Sequence, residues 1–298
     1  MGKKEFIVVN SFAEKSFGGN PAAVFVNADG LETSIMQLIA RQMNLVETAF
    51  VFPSTENDHD FRFRYFTPLK ELPITGHPTI AAIIALIENK QIDVENKPVY
   101  RIKTNVGIKQ INIGRNQFGP VVTMEQQKPR FLEIVNDRKN VADILGLDLG
   151  DLINELPIQA VDTGLGHIIV PVKSLDALMR VQRKIEPLKN LCASLGVMEA
   201  QVFTFETYEQ DKTLHTRNIC PREGIEDPGC GVGNGALGAY LIKHYYKDEA
   251  KASIRAEQGN IVNMPCVIET VASRKGDEID VSIGGNGKVM IEGTFLLD

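Results

Sequence analysis

Residues 226–242, EDPGCGVGNGALGAYLI, admit two incompatible readings. The segment holds a literal G-x-G-x-x-G at Gly233, Gly235 and Gly238, the spacing of a dinucleotide-binding loop. It also sets an acid, Asp227, and a thiol, Cys230, where a helix begins. A dinucleotide loop needs a hydrophobic strand running straight into its glycines, because the pyrophosphate lies where strand turns into helix. Here the preceding residues are PREGIEDPGCG, a turn-rich stretch with two prolines. An acid at about the ribose-binding spacing, Glu257, is present, but the strand is not. The glycines are better explained by a buried helix: Gly235 and Gly238 let it approach strands closely, and Gly231 and Gly233 shape the turn into it.

An earlier segment supports the buried helix. ELPITG at 71–76 matches EDPGCG at 226–231 as E-x-P-x-(T/C)-G, and an apolar helix follows each, TIAAIIALI and GALGAYLI. Upstream, NLVETAFVF at 44–52 resembles GVMEAQVFTF at 196–205, and FRFRYFTP at 61–68 resembles LHTRNICP at 214–221. Arg64 and Pro68 thereby recur at one common offset as Arg217 and Pro221. The pattern is that of a duplication, two halves of like topology with a cleft between them. The first domain is expected over residues 1–126, with 287–298 available to complete it, and the second over 127–286.

Local patterns fill in each half. EFIVVNSF and NPAAVFVNA have the β-branched and aromatic density of strands, and DFRFRYFTP alternates Phe61, Phe63 and Tyr65 against Arg62 and Arg64. Leu31, Ile35, Leu38, Ile39 and Met43 fall near helical spacing. The stretch 79–87 is apolar nearly all round, as in a fully buried helix. Pro78 suits its first residue, which makes His77 the expected N-cap. The fold class is α+β: two pseudo-symmetric domains, each a mostly antiparallel, barrel-like sheet wrapped around a central apolar helix.

Composition limits the function. The net charge of −6 over 298 residues argues against a surface that tracks nucleic-acid phosphates and favours a small-molecule partner. Cys192, Cys220, Cys230 and Cys266 lack C-x-x-C spacing and the density of a secreted scaffold, so they read as reduced thiols of a cytoplasmic protein. The longest apolar run, 80–87, is too short to span a bilayer.

The candidate chemistry gathers at the helix starts, where free N–H groups and the macrodipole favour an anion such as a substrate carboxylate. Glu47 lies where a helix hands over to an apolar strand, and desolvation there would raise its pKa and let it take and return a proton. His77 is an unfavoured cap, which points to another task. Asp227 before Pro228 suits either an Asx-type turn or catalysis. Cys230 at a helix foot should have its thiolate favoured by the dipole. His59 and His244 read as surface residues, and His167 and His215 show no metal-ligand spacing, so no metal site is expected.

SFGGNPAAVFV, NLVETAFVF, RYFTPLKELPITGHPTIAA and GIEDPGCGVGNGALGAYL, in this order along nearly the whole chain, together resemble the PhzF-like isomerases of phenazine biosynthesis, relatives of diaminopimelate epimerase. The resemblance implies a cofactor-independent isomerase, without a metal, that forms a homodimer and acts on a small carboxylic acid. It implies catalytic roles for Glu47, His77 and Asp227, and substrate contacts at Asn20, Gly76, Cys230, Gly231 and Val232. Three positions depart from the family pattern. Val46 stands where Ser commonly precedes the catalytic Glu, and Cys230 and Val232 replace the Thr and Ser of D-P-x-T-G-S. A site lacking those polar groups would bind a dihydro-hydroxyanthranilate poorly. The related epimerases use two facing thiols, whereas here Thr75 stands opposite Cys230 in the repeat. Epimerase or dehydratase chemistry through the single thiol, and an inactive small-acid-binding protein, are the alternatives.

Overall fold

The computed structural model describes residues 2–222 and 224–297. The chain divides into two compact units, one running to Glu125 and resumed at Gly284, the other spanning Gln126–Ile283. The first contains β1 (Gly2–Ser11), β2 (Asn20–Phe25), α1 (Thr33–Met43), β3 (Glu47–Pro53), β4 (Phe61–Phe66), β5 (Glu71–Leu72), α2 (His77–Glu88), β6 (Val99–Thr104), β7 (Gly107–Asn116) and β8 (Gly119–Glu125). The second contains β9 (Arg130–Ile134), α3 (Arg138–Leu145), β10 (Gln159–Asp162), β11 (Gly166–Pro171), α4 (Leu175–Arg180), α5 (Ile185–Ser194), β12 (Glu199–Thr204), β13 (Leu214–Cys220), β14 (Ile225–Asp227), α6 (Gly231–His244), β15 (Lys251–Gln258), β16 (Cys266–Lys275) and β17 (Glu278–Gly285). A final strand, β18 (Gly287–Leu297), returns to the first unit and pairs with β1 along its whole length, from Gly2↔Leu297 to Ser11↔Gly287.

The two units repeat one pairing scheme. In the first, β1 and β2 are antiparallel, β2 and β3 parallel, β3 and β4 antiparallel, and β4 meets β5 antiparallel and β6 parallel. In the second, β10, β11, β12, β13, β14 and β15 follow the same sequence of senses. The arginines of the repeat make the same contact. Arg64 grips Glu71 through Nε and Nη2 at 2.8 and 2.7 Å, and Arg217 grips Glu226 likewise at 2.7 and 2.8 Å. Such two-pronged pairs fix a strand edge more firmly than a single contact.

Each unit encloses one helix. Residues 77–86 of α2 are all buried, and the helix packs against β1, β2, β3, β8 and β18. Helix α6 packs against β10, β11, β12, β15 and β16. Its glycines carry the close approach: a Cβ on Gly238 would lie 2.5 Å from Thr270 Cγ2, and one on Gly233 2.5 Å from Gln201 Oε1. Gly231 and Gly233 belong to the helix itself rather than to a turn before it. Glu257 is committed to the protein, accepting from the amides of Tyr208 and Glu209 and from His215 Nδ1. The G-x-G-x-x-G is thus a packing surface.

Two smaller expectations are corrected. The N-cap of α2 is Gly76, so His77 is already the first helical residue and Pro78 follows it. His59 is buried and its Nδ1 bonds Asp58, whereas His244 is half-buried and bonds Gln159 Oε1 at 2.7 Å. Among the described residues, no helix is long and apolar enough to cross a membrane.

The packing at Gly238 is testable. Gly238→Ala should gain about 1 kcal/mol of helix propensity and lose about 1–3 kcal/mol to overpacking, for a net loss in urea denaturation. Adding Thr270→Ser, which removes the facing methyl, should reverse the sign. Equal loss in both variants would refute the close approach.

Candidate active site

In the first unit the site begins where α1 ends. Asn44 terminates that helix in the left-handed region, φ 52°, and the chain turns directly into β3, whose first residue is Glu47. Because β3 runs parallel to β2, with Ala22 opposite Glu47, the carboxylate is held at the edge of the core with a side-chain exposure of 12%. The start of α2 lies beside it, with His77 Nδ1 3.6 Å from Glu47 Oε2. Ser11 Oγ donates to the His77 carbonyl at 2.6 Å and anchors this helix start.

His77 is neutral across the physiological range. Burial lowers its pKa to about 3, against a smaller opposing effect of the Pro21 carbonyl. Nε2 is buried without a partner, so the ring proton given to Pro21 sits on Nδ1 and Nε2 presents a lone pair. The hydroxyl of Thr75, just before the helix, is likewise buried without a partner. Unsatisfied buried polar atoms are costly and call for an explanation. Here two of them lie at one helix start, His77 beside the Glu47 carboxylate. Asn20 is fully buried at the first position of β2, and Gly76 caps the helix with its backbone.

The second unit places the other candidates at the start of α6. Asp227 closes β14, and its Oδ1 accepts from the Gly229 amide at 2.8 Å, an Asx-type turn. Gln258 Nε2 donates to its carbonyl at 2.8 Å. Cys230 is the N-cap, with Sγ accepting from the Gly233 amide at 3.3 Å, and Gly231 and Val232 form the first helical positions. The expected thiolate does not result. Burial, Glu199 and Asp227 push the thiol pKa well up, outweighing the amides of Gly233 and Val232. Val46 is half exposed, and the Val232 carbonyl accepts from Thr163 Oγ1 at 3.2 Å.

Sequence reading assigned no role to two residues here. His167, on β11, and Glu199, first residue of β12, are register partners in parallel strands, and Nε2 and Oε2 lie 3.1 Å apart. Glu199 occupies the place in its unit that Glu47 has in the first, opening the strand that runs parallel to its neighbour. Burial would raise its carboxyl pKa, but His167, Asn218 and Cys220 together hold it below the usual range. The aligned repeats set Glu199 under Glu47, and that was the available signal. His167 has no counterpart in the repeat; Ala22 takes its register position.

Each unit is a mixed sheet around one buried helix with ionisable side chains at its start. The family model of phenazine biosynthesis-like proteins, PhzC-PhzF, matches residues 9–293. The chain belongs to this family and is an isomerase. It is 35% identical over 297 residues to an uncharacterized isomerase of Clostridium acetobutylicum, with 97% of each chain covered. It superposes on a PhzF-family phenazine biosynthesis protein of Bacillus anthracis with a TM-score of 0.92 at 30% identity over the whole of both chains. The fold extends to a probable proline racemase of Agrobacterium radiobacter, with a TM-score of 0.63 at 15% identity over 99% of this chain and 93% of that one.

The buried, neutral His77 has a consequence for stability. Between pH about 6.5 and about 3 the unfolded chain binds a proton at this residue that the folded chain refuses, so its contribution falls as pH falls. His77→Gln should remove up to about 1.4 kcal/mol per pH unit of acid-side slope in that window. Chemical denaturation of both proteins from pH 7 to 4 measures it. Parallel curves would show that His77 titrates normally.

Proposed function

We propose that the protein moves a proton, and with it a double bond, on a small unsaturated or cyclic carboxylic acid, with Glu47 as general acid and base. The observation that carries this reading is the partly buried Glu47 carboxylate beside the unpartnered His77 Nε2 and Thr75 hydroxyl. Glu47 would take a proton from a carbon made acidic by conjugation. The electron pair shifts along the conjugated system, and the same carboxyl returns the proton to the distal carbon. His77 Nε2, as an acceptor, would hold a hydroxyl or amine of the substrate. Backbone amides at the start of α2, around Gly76, would receive its carboxylate.

Val46 and Val232 argue for a substrate with fewer polar substituents than a dihydro-hydroxyanthranilate. Deuterium uptake from heavy water by a panel of unsaturated and cyclic acids tests the reaction. Glu47→Gln should slow exchange by about 10²–10⁴-fold, the usual contribution of a positioned acid–base group. Exchange undiminished in Glu47→Gln but lost in Cys230→Ser would transfer the chemistry to the thiol. Measurable binding without exchange of any acid would instead identify a binding protein.

A further inference from the structure

Three side chains of the second unit converge on one point: His167 Nε2, Glu199 Oε2 and Cys230 Sγ. Nε2 and Oε2 are 3.1 Å apart, Sγ and Nε2 3.7 Å, and Sγ and Oε2 3.9 Å. All three residues are buried, and each comes from a different element, β11, β12 and the cap of α6.

A hydrolase-like triad would place the carboxylate on the imidazole nitrogen remote from the thiol. Here carboxylate and thiol both face Nε2, while Nδ1 donates to the Leu165 carbonyl at 2.9 Å. A ring fixed by Nδ1–H to a backbone carbonyl, with Nε2 turned to other donors, is the arrangement of a metal-binding histidine. The spacing agrees. Ordinary zinc bonds of about 2.1 Å to nitrogen and oxygen and about 2.3 Å to sulfur hold tetrahedral ligand atoms about 3.4–3.6 Å apart.

We propose that His167, Glu199 and Cys230 form a binding site for one zinc-like divalent cation. The donor set, one imidazole, one carboxylate and one thiolate, suits a borderline-soft ion rather than magnesium or calcium. Its charge balances: two positive charges meet a carboxylate and a thiolate, so a neutral complex replaces separate buried charges. Binding displaces the proton of the Cys230 thiol, which passes to solvent. The Gly233 amide already pointing at Sγ would support the thiolate so formed. The bound ion would fasten the start of α6 to the paired strands β11 and β12.

Cobalt reports on such a site. Reduced, chelator-treated protein titrated with Co²⁺ should develop a sulfur-to-cobalt charge-transfer band that saturates at one ion per chain and is abolished by Zn²⁺. Cys230→Ser should remove the band, and His167→Gln should weaken Zn²⁺ binding on the order of 100-fold. Cys266→Ser and Glu47→Gln should leave both unchanged, which separates this site from the proton-transfer chemistry assigned to Glu47. In weak buffer the unmodified protein should release protons as Zn²⁺ binds, a readout independent of how the variants fold. Absence of a saturable band, unaltered affinity in the folded variants, or binding without proton release would each overturn the proposal.

Discussion

A helix with no polar face must be enclosed, and that requirement organises each half of this chain. Helices α2 and α6 satisfy their own interiors, but the first amides of any helix find no partner within it. Enclosing the apolar body therefore brings a polar terminus into the core. Short polar groups meet part of it: Cys230 Sγ accepts from the Gly233 amide at 3.3 Å, and two first-turn side chains, Thr79 Oγ1 and Asn234 Nδ2, donate to the carbonyls of Thr75 and Cys230 at 2.6 and 2.9 Å. What these local bonds leave unsatisfied is available to a ligand. The reactive groups sit at the helix starts because dry packing and backbone polarity meet there.

Much of this was legible in the sequence because its signals are local or repeated. The apolar run 79–87 marks a buried helix without reference to anything distant. The matches of Arg64 with Arg217 and of ELPITG with EDPGCG mark the duplication, and the structure shows equivalent ion pairs at both places. The misreading of the N-cap by one residue has a simple cause. Proline is accommodated at either of the first helical positions, so Pro78 bounded the helix start without fixing it.

The rest depended on contacts that no window of sequence contains. His167 and Glu199 meet only because β11 and β12 pair in parallel at one register, and a one-residue slip would turn the two side chains away from each other. Cys230 shows the same limit. Its position at a helix foot is local and suggested an ionised thiol, whereas burial and the Glu199 carboxylate, brought from β12, reverse the inference, with Asp227 adding to them. Burial and like charge are tertiary quantities, and here they outweigh the local dipole.

The return of β18 to β1 bears on the order in which the chain becomes structured during synthesis. The second unit is continuous in sequence and has all its residues once Ile283 emerges from the ribosome. The first lacks β18 until the last strand is made, so β1 must wait with one edge bare while the intervening residues are translated. An unpaired strand edge is a template for unwanted pairing. Lys3 and Lys4, the charged residues that open β1, place positive charge on that edge during the interval.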